Sequence, residues 1–442
     1  MQHKNGDPTE KWVTSGSAET DFTSGNTRYT AGDYQGAVEA YSSAIHLNPD
    51  DATAYYNRGL ARGALGQYAA AIEDYDTAIQ IQSDYAYAYN NRGLMKAYTG
   101  QFSAAISDYD TAIHHKPDYA FAHYNRGLAK AKLGQHADAI VDFDTTIQHK
   151  LENADVYYMR GLAKTALGQH TTAISDYDTA IQLEPDLVEA YLNRGIAKTI
   201  LGQHADAIAD FDTTIQLELE NADVYYMRGL AKAKLGQHIE AIEDYDTAIQ
   251  RNPDLAEAYL NRGLAKASLN WHTGAIEDFD TTIQHKPDDA KAYVNRGLSN
   301  YYLGHHTDAI ADYDTAIQIK PDYAMAYAGR GIAKGVIGQH IDAIADFDTT
   351  IRLKPDLAEA YQNRGIAKGT LGDFHAAIED FDTVIKLKPD YADAYVRRGT
   401  LKALSNHIPE AKQDLQTALQ LVEKEGHTDL KTVIEATLRT LE

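Results

Sequence analysis

A 34-residue period organises almost all of this sequence. The stretch Ala86–Tyr119 recurs along the chain with the same residue types at the same places. In this stretch the recurring residues are Tyr89, Arg92, Gly93, Gly100, Ala105, Tyr109, Ala112 and Pro117. A fixed period of this length indicates a stacked array, because a single unit of this size cannot bury its apolar face alone.

The period and the order of these residues resemble the tetratricopeptide repeat (TPR) family. Twelve repeats cover residues 18–425 without a gap. With the first residue of each repeat counted as position 1, the repeats start at residues 18, 52, 86, 120, 154, 188, 222, 256, 290, 324, 358 and 392. The resemblance implies an all-α fold, a right-handed α-solenoid (superhelix) of helix-turn-helix units.

Within a repeat, the pattern predicts helix A over positions 2–14 and helix B over positions 17–30. Gly at position 15, as in Gly66 and Gly100, separates the two helices. Asn270 and Asn406 take its place in two repeats, and Asn is the next most tolerant residue of the left-handed conformation. Most of the prolines lie at position 32, where one repeat ends, because Pro cannot continue the preceding helix.

Two segments lie outside the repeats. Residues 1–17 are polar, with Gly, Pro, Ser and Thr, and predict a flexible tail. Residues 426–442 predict an amphipathic helix that caps the last open apolar face of the array. The residues with helical spacing on that face are Leu430, Val433, Ile434, Thr437, Leu438 and Leu441.

The composition narrows the choice of partners. The formal net charge is -23, which repels phosphate backbones and anionic lipid surfaces, so we predict neither nucleic acid nor membrane as a partner. There is no cysteine, and no apolar run approaches the ~20 residues needed to cross a bilayer. The N-terminal residues lack the apolar core of a signal peptide, which predicts a cytoplasmic protein unless a signal peptide has already been removed.

Paired charges recur inside the predicted core. Position 7 is Arg in eleven of the twelve repeats, where the family usually has an apolar residue, and position 23 is Asp in the same eleven. Because the chain turns near position 15, the two positions lie opposite each other. This predicts ion pairs within a repeat, for example Arg92 with Asp108 and Arg194 with Asp210. The alternative is that the arginines line a groove and bind an anionic ligand. A second Asp at position 25, such as Asp110, is predicted to lie on a solvated outer face.

A row of asparagines on helix A is the candidate binding surface. Positions 2, 6, 9 and 13 form one stripe, and in TPR proteins helix A lines the concave groove, so the resemblance implies that this stripe faces a ligand. Asn can hydrogen-bond a peptide main chain whatever the peptide sequence. The alternative is that these asparagines brace the neighbouring helix. The candidate groove residues are Asn57, Asn91, Asn125, Asn193, Asn261, Asn295 and Asn363 at position 6, with Tyr56, Tyr124, Tyr158 and Tyr226 at position 5.

Histidine at position 17 in seven successive repeats, from His136 to His340, raises the question of a metal site. Packed helices lie ~8–10 Å apart, whereas zinc holds its histidine nitrogens at ~2.1 Å. One ion cannot bind histidines of two repeats, and we predict no metal and no cofactor. The sequence has no cysteine, no Gly-rich phosphate loop and no HExxH motif, so we predict no catalytic residues and no enzyme.

These observations favour a non-catalytic scaffold that binds a protein or peptide partner in a concave groove. The first alternative is a structural protein that self-assembles into homo-oligomers through its ends or outer faces. The second is an accessory subunit that recruits substrates to an enzyme encoded elsewhere.

Overall fold

The computed structural model describes residues 17–217, 221–425 and 428–441. The chain divides into two units, residues 1–220 and 221–442, which we describe separately. The described part of the first unit contains α1 (Ser17–Thr30), α2 (Tyr34–Leu47), α3 (Ala52–Ala64), α4 (Tyr68–Ile81), α5 (Ala86–Tyr98), α6 (Phe102–His115), α7 (Ala120–Lys132), α8 (His136–Gln148), α9 (Ala154–Ala166), α10 (His170–Leu183), α11 (Val188–Ile200) and α12 (His204–Gln216). The second contains α13 (Ala222–Lys234), α14 (His238–Arg251), α15 (Ala256–Ser268), α16 (His272–His285), α17 (Ala290–Tyr302), α18 (His306–Ile319), α19 (Ala324–Val336), α20 (His340–Leu353), α21 (Ala358–Thr370), α22 (Phe374–Leu387), α23 (Ala392–Leu404), α24 (Ile408–Glu425) and α25 (Thr428–Thr440).

The described chain is all-α, and its helices alternate as helix A and helix B of each repeat, as the period predicts. Helix A begins one residue earlier than predicted and covers positions 1–13 from the second repeat onward, and helix B begins at position 17. The helices separate where predicted, because Gly100 has a φ of 79° and Asn270 and Asn406 each have a φ of 62°. The chain then closes helix A, as when the Gln101 N–H donates to the Lys96 carbonyl at 2.8 Å.

Helix B supplies the centre of each repeat's core. In the third repeat, Ala105, Tyr109 and Ala112 on α6 are almost completely buried. Gly93 on α5 faces the Tyr109 ring, and a Cβ atom at Gly93 would lie 2.8 Å from Tyr109 Cε1. The missing side chain therefore lets the aromatic ring fill the space between the two helices, which explains why Gly at position 8 accompanies an aromatic residue at position 24.

The repeats stack mainly through helix A. Helix α5, for example, packs against helix B of its own repeat (α6) and helix B of the preceding repeat (α4), and it also contacts the adjacent helices A, α3 and α7. Successive helices B make no comparable contact in the described part of either unit. Because helices A approach one another more closely than helices B, helices A form the inner side of the curve within each unit.

The last helix, α25, covers the end of the second unit. Ile434 is fully buried against Leu415, Ala418 and Val422 of α24, and Leu430, Leu438 and Leu441 pack around this cluster. Val433 is the exception to the predicted apolar face, because it is more than half exposed. It lies next to Ile434 in sequence and points away from α24, so the buried face of α25 is narrower than the sequence pattern suggests.

Candidate functional site

The candidate site is the face of the helices A formed by positions 2, 6, 9 and 13, which we call the helix-A face. Position 13 carries large apolar side chains that are about half exposed or more: Tyr98 and Ile200 in the first unit, and Tyr302, Val336 and Leu404 in the second. Position 9, as in Leu94, is partly buried beneath them. Each unit therefore presents apolar side chains on the inner side of its curve.

Three of the predicted groove asparagines are buried between neighbouring helices A. Asn57, Asn91 and Asn125 are only 5%, 4% and 5% exposed. Their side-chain amides donate to the preceding repeat: Asn57 Nδ2 to Asn26 Oδ1 at 3.2 Å, Asn91 Nδ2 to Tyr56 OH at 2.9 Å, and Asn125 Nδ2 to Asn90 Oδ1 at 3.0 Å. This geometry favours the bracing interpretation at these three positions.

The remaining asparagines of the row are only partly buried. Asn193 Nδ2 donates to Tyr158 OH at 3.2 Å and to the Glu189 carbonyl at 2.8 Å, and Asn261 makes the equivalent bonds to Tyr226 OH and Glu257. Asn295 Nδ2 donates to the Lys291 carbonyl, one turn back on its own helix, at 2.7 Å. Asn363 is partly exposed as well. These four side chains are therefore partly accessible to solvent.

The tyrosines at position 5 serve mainly as acceptors and packing surfaces between repeats. Tyr56 is 8% exposed, and its ring lies 5.9 Å from the ring of Tyr75. Tyr158 and Tyr226 are partly exposed and accept from the next repeat's asparagine. Tyr124 packs on Phe143 at a centroid distance of 6.0 Å. Because Met159 stands where the next asparagine would be, Tyr124 has no such partner from position 6.

The arginine at position 7 lies in a network that spans three helices within a unit, as Arg92 and Arg194 show. Arg92 Nη2 is 2.5 Å from Asp108 Oδ1 on helix B of its own repeat, and Arg92 Nη1 is 2.6 Å from Asp76 Oδ1 on helix B of the preceding repeat. Arg194 has the same arrangement, 2.5 Å from Asp210 and 2.6 Å from Asp178. The guanidinium groups are thus held between helices B, on a different side of helix A from positions 6 and 13, since adjacent residues of a helix point about 100° apart.

Two members of this network were missed by the sequence analysis. Lys at position 11 reaches the same buried carboxylate, as in Lys96 Nζ to Asp108 Oδ2 at 2.7 Å. The Asp at position 25 was predicted to be solvated, and this is only half correct. Asp110 is half exposed, but its Oδ1 lies 2.6 Å from Arg126 Nη1 of the next repeat. The signal was present in the sequence, because Lys at position 11 and Asp at position 25 recur with the arginine.

The network shifts the pKa of its buried carboxylates in different directions in different repeats. Burial raises the pKa of Asp142, but His123, Arg126 and Lys130, whose nitrogens lie 3.9, 2.5 and 2.8 Å from its oxygens, outweigh burial and lower the pKa to about 2. In the ninth repeat Asn300 replaces the lysine. There burial raises the pKa of Asp312 in spite of its ion pair with Arg296.

The histidines at position 17 begin helix B and pack against neighbouring side chains. His272 stacks on Tyr302 of the next repeat, with ring centroids 4.9 Å apart and an interplanar angle of 14°. Within the described residues, no group of three His, Asp or Glu side chains could hold a metal ion. Over the same residues, no helix is both long and apolar enough to span a membrane.

The fold and the recurring residues define a class, the helical repeat proteins built from helix-turn-helix units. Family models described as TPR repeat and tetratricopeptide repeat match more than half of the chain, at residues 25–66, 93–134, 161–199 and 229–270, at residues 52–85 and 290–323, and at residues 358–391. The chain belongs to the tetratricopeptide repeat family.

Several solved structures are similar to this chain. YrrB, described as a TPR protein with an unusual peptide-binding site, is 26% identical over 42% of this chain and 95% of its own, with a TM-score of 0.38. MamA is 29% identical over 39% of this chain and 93% of its own, with a TM-score of 0.37. Yeast Tom70 is 16% identical over 96% of this chain and 95% of its own, with a TM-score of 0.41. Among curated proteins, no sequence matches significantly.

Proposed function

We propose that this protein is a non-catalytic interaction scaffold that holds a peptide or protein partner against its helix-A faces. The observation that carries the proposal is the exposure of large apolar side chains at position 13 on the inner side of each unit, as at Ile200 and Val336. Exposed apolar surface of this kind, next to polar amides, marks a site of protein interaction. Membership in the TPR family supports the same general role.

Within this proposal, the asparagine row divides into two groups. Asn193, Asn261, Asn295 and Asn363 are partly exposed and are placed to hydrogen-bond a peptide main chain. Asn57, Asn91 and Asn125 brace helix A against the preceding repeat, because their amide groups are buried and already donate to side chains there. The arginines contribute to folding and do not contact the ligand.

The test compares matched substitutions on the two sides of the units. A random peptide library is selected on the immobilised full chain, and the dissociation constants of the enriched peptides are measured by fluorescence anisotropy. Ile200→Ser and Val336→Ser alter the helix-A face, whereas Val141→Ser and Ile239→Ser alter helix B side chains of similar exposure. We expect the first pair to weaken binding by about tenfold or more and the second pair to leave it unchanged. Equal effects of both pairs would contradict the proposal.

A second comparison tests the division of the asparagines. The triple variant Asn193→Ala, Asn261→Ala, Asn295→Ala is expected to bind the enriched peptides more weakly and to lower the melting temperature only slightly, because the hydrogen bonds that it loses to Tyr158 and Tyr226 are only partly buried. The triple variant Asn57→Ala, Asn91→Ala, Asn125→Ala is expected to melt at a lower temperature, because buried hydrogen-bond partners lose their donors at roughly 1–3 kcal/mol each. If the first triple variant binds every peptide as wild type does, the partly exposed asparagines are not ligand contacts.

A further inference from the structure

The helix-A face of the tenth repeat differs from that of most other repeats at position 6. Gly329 of α19 stands where most repeats have Asn or Met. A Cβ atom at Gly329 would lie 2.5 Å from Tyr313 Cζ, so the buried Tyr313 ring occupies the space that a side chain would need. Helices α17 and α19 also approach each other more closely than the other successive helices A of the second unit. No polar side chain projects from the middle of α19 at this place.

Four large apolar side chains surround Gly329 and are exposed. Leu298, Tyr302, Met325 and Val336 are 42%, 63%, 49% and 54% exposed, and we call them the Met325 patch. Met325 and Val336 are eleven residues apart on α19, which places them roughly 16 Å apart along the helix axis. Tyr302 occupies the same repeat position on α17 as Val336 does on α19, and one face of its ring stacks on His272 of the preceding repeat. The patch therefore extends over two neighbouring helices and about three helical turns.

A free positive charge lies at one end of this patch. Lys291 is the only Lys or Arg at position 2 in any repeat, and it is exposed. Among the described residues its ammonium group has no carboxylate within salt-bridge distance. By contrast, the acidic residues at position 2 of the flanking repeats, Glu257 and Glu359, are paired with Lys286 and Lys388 of their own repeats. Position 2 of the ninth repeat therefore carries a cation that makes no salt bridge among the described residues, although the Asp289 carboxylate accepts a hydrogen bond from the Lys291 backbone N–H.

We propose that the Met325 patch binds the apolar face of an amphipathic α-helix from a protein partner, with an acidic residue of that helix next to Lys291. This proposal rests on the interaction role proposed above and specifies one occupant of the helix-A face. Two neighbouring helices accept the side-chain ridge of a third helix between them. The length of the patch matches anchors at i, i+4, i+7 and i+11 on the bound helix, which also lie about 16 Å apart from first to last.

The probe is a pair of fluorescein-labelled synthetic helices of about 16 residues. Both carry Leu at i, i+4, i+7 and i+11 on an Ala- and Gln-rich background. One has Glu at both ends, and the other has Lys at both ends, so the test does not depend on the orientation of the bound helix. Binding to the full chain is measured by fluorescence anisotropy. We expect the acidic peptide to bind at least about fivefold more tightly than the basic one.

Two variants exploit the repeats themselves. Met325→Glu and Lys291→Glu introduce the residue that the flanking repeats already have at this position, so both variants are expected to keep wild-type circular dichroism. Met325→Glu should weaken binding of the acidic peptide by about tenfold or more, and Lys291→Glu should remove the preference for the acidic peptide. The matched control is Phe121→Glu at position 2 of the fourth repeat, which should change neither.

Several outcomes would overturn the inference. They include equal binding of both peptides, unchanged binding to Met325→Glu, and the same loss with Phe121→Glu. Dissociation of a wild-type oligomer by Met325→Glu, seen by light scattering, would identify the patch as a surface for a second copy of this chain instead. If neither synthetic helix binds but the library yields peptides, only this inference fails. If the library also yields none, the proposed interaction role fails with it.

Discussion

At the scale of single residues, the arginine at position 7 connects helix A to two helices B within a unit, as Arg92 and Arg194 do. Arg194 holds a buried carboxylate, Asp210, and a half-exposed one, Asp178. A charge taken out of water is costly unless opposite charges and hydrogen bonds surround it, and here Arg194 and Lys198 both approach Asp210. The ion pairs of Arg194 therefore fix the position of helix A relative to two particular helices B. Apolar residues at the same places would favour packing without fixing this position.

The two carboxylates of one network should differ in what they contribute to stability. Asp210→Asn leaves Arg194 and Lys198 without their buried counter-charge and should destabilise the surrounding repeats by about 3–5 kcal/mol. Asp178→Asn removes a half-exposed partner and should cost no more than ~1 kcal/mol. Amide hydrogen exchange of α11 and α12 measures both effects. Equal protection in the two variants would contradict the structural role assigned to the buried pair.

Asp142 should make the fourth repeat sensitive to acid. Its pKa in the folded chain is lowered to about 2, below the ordinary value of about 3.9, so its stabilising contribution is complete above the ordinary value. The contribution, about 2 kcal/mol, should disappear as the pH falls from roughly 4 to 2. Hydrogen exchange of α7 and α8 in wild type and Asp142→Asn should therefore differ at pH 6 and converge near pH 2. The half-exposed Asp110→Asn is the control, and a constant difference across this pH range would contradict the assignment.

At the scale of helices, the sequence pattern located every break between helix A and helix B. Gly or Asn at position 15 provides the only backbone conformation that closes helix A in one residue, so local chemistry decides it. The face that a helix buries, by contrast, depends on the neighbouring helices and not on local sequence alone. Helix α25 has apolar residues over a wide arc, but Ile434 is fully buried against α24 whereas Val433 is more than half exposed.

Substitutions on α25 should separate its two faces. Ile434→Ala creates a cavity against Leu415 and Val422 and should destabilise the end of the second unit by about 2–5 kcal/mol. Val433→Ala, next to it in sequence but more than half exposed, should change stability by no more than ~0.5 kcal/mol. Thermal unfolding monitored by circular dichroism gives the comparison. A larger effect at Val433 would show that α25 packs through a different face.

At the scale of the whole molecule, the twelve repeats are distributed over two units that each have their own buried clusters. Tyr75 and Phe143 are buried within clusters of the first unit, and Phe279 and Tyr313 within clusters of the second. In a repeat array each repeat is stabilised mainly by contacts with the adjacent repeats. The repeats at an exposed end have a neighbour on one side only and are therefore the least stable. The second unit ends in α25, which covers its terminal face.

The two units should fold separately but differ in stability. Fragments 1–220 and 221–442 are each expected to show the helical circular dichroism of the corresponding part of the full chain. Fragment 221–442 should melt at the higher temperature, because α25 covers its last helix pair, whereas α12 ends fragment 1–220 without such cover. Fragment 221–425, which lacks α25, should melt at a lower temperature than fragment 221–442, closer to that of fragment 1–220. A fragment 221–442 without cooperative unfolding would contradict the independence of the two cores.

The candidate site was predictable in position but not in detail. The spacing of positions 2, 6, 9 and 13 identified one face of helix A, and the chemistry of Asn suggested contact with a ligand. What the spacing could not show is that the neighbouring repeat supplies acceptors, as Tyr56 does for Asn91 and Asn90 for Asn125. These residues are about one repeat apart in sequence, and only stacking brings their side chains together.

The sequence by itself determined the helices, their breaks, the order of the repeats and the buried aromatic residue at position 24 of all repeats but the last, which has Leu415. These features follow from local backbone chemistry and from a strict apolar period. The tertiary structure decided which polar side chains are shared between repeats. Asp76 pairs with Arg92 of the next repeat, and Met325 is exposed in the repeat that follows Lys291. The packing of successive helices sets these distances and exposures, and the spacing of residues within one repeat does not encode them.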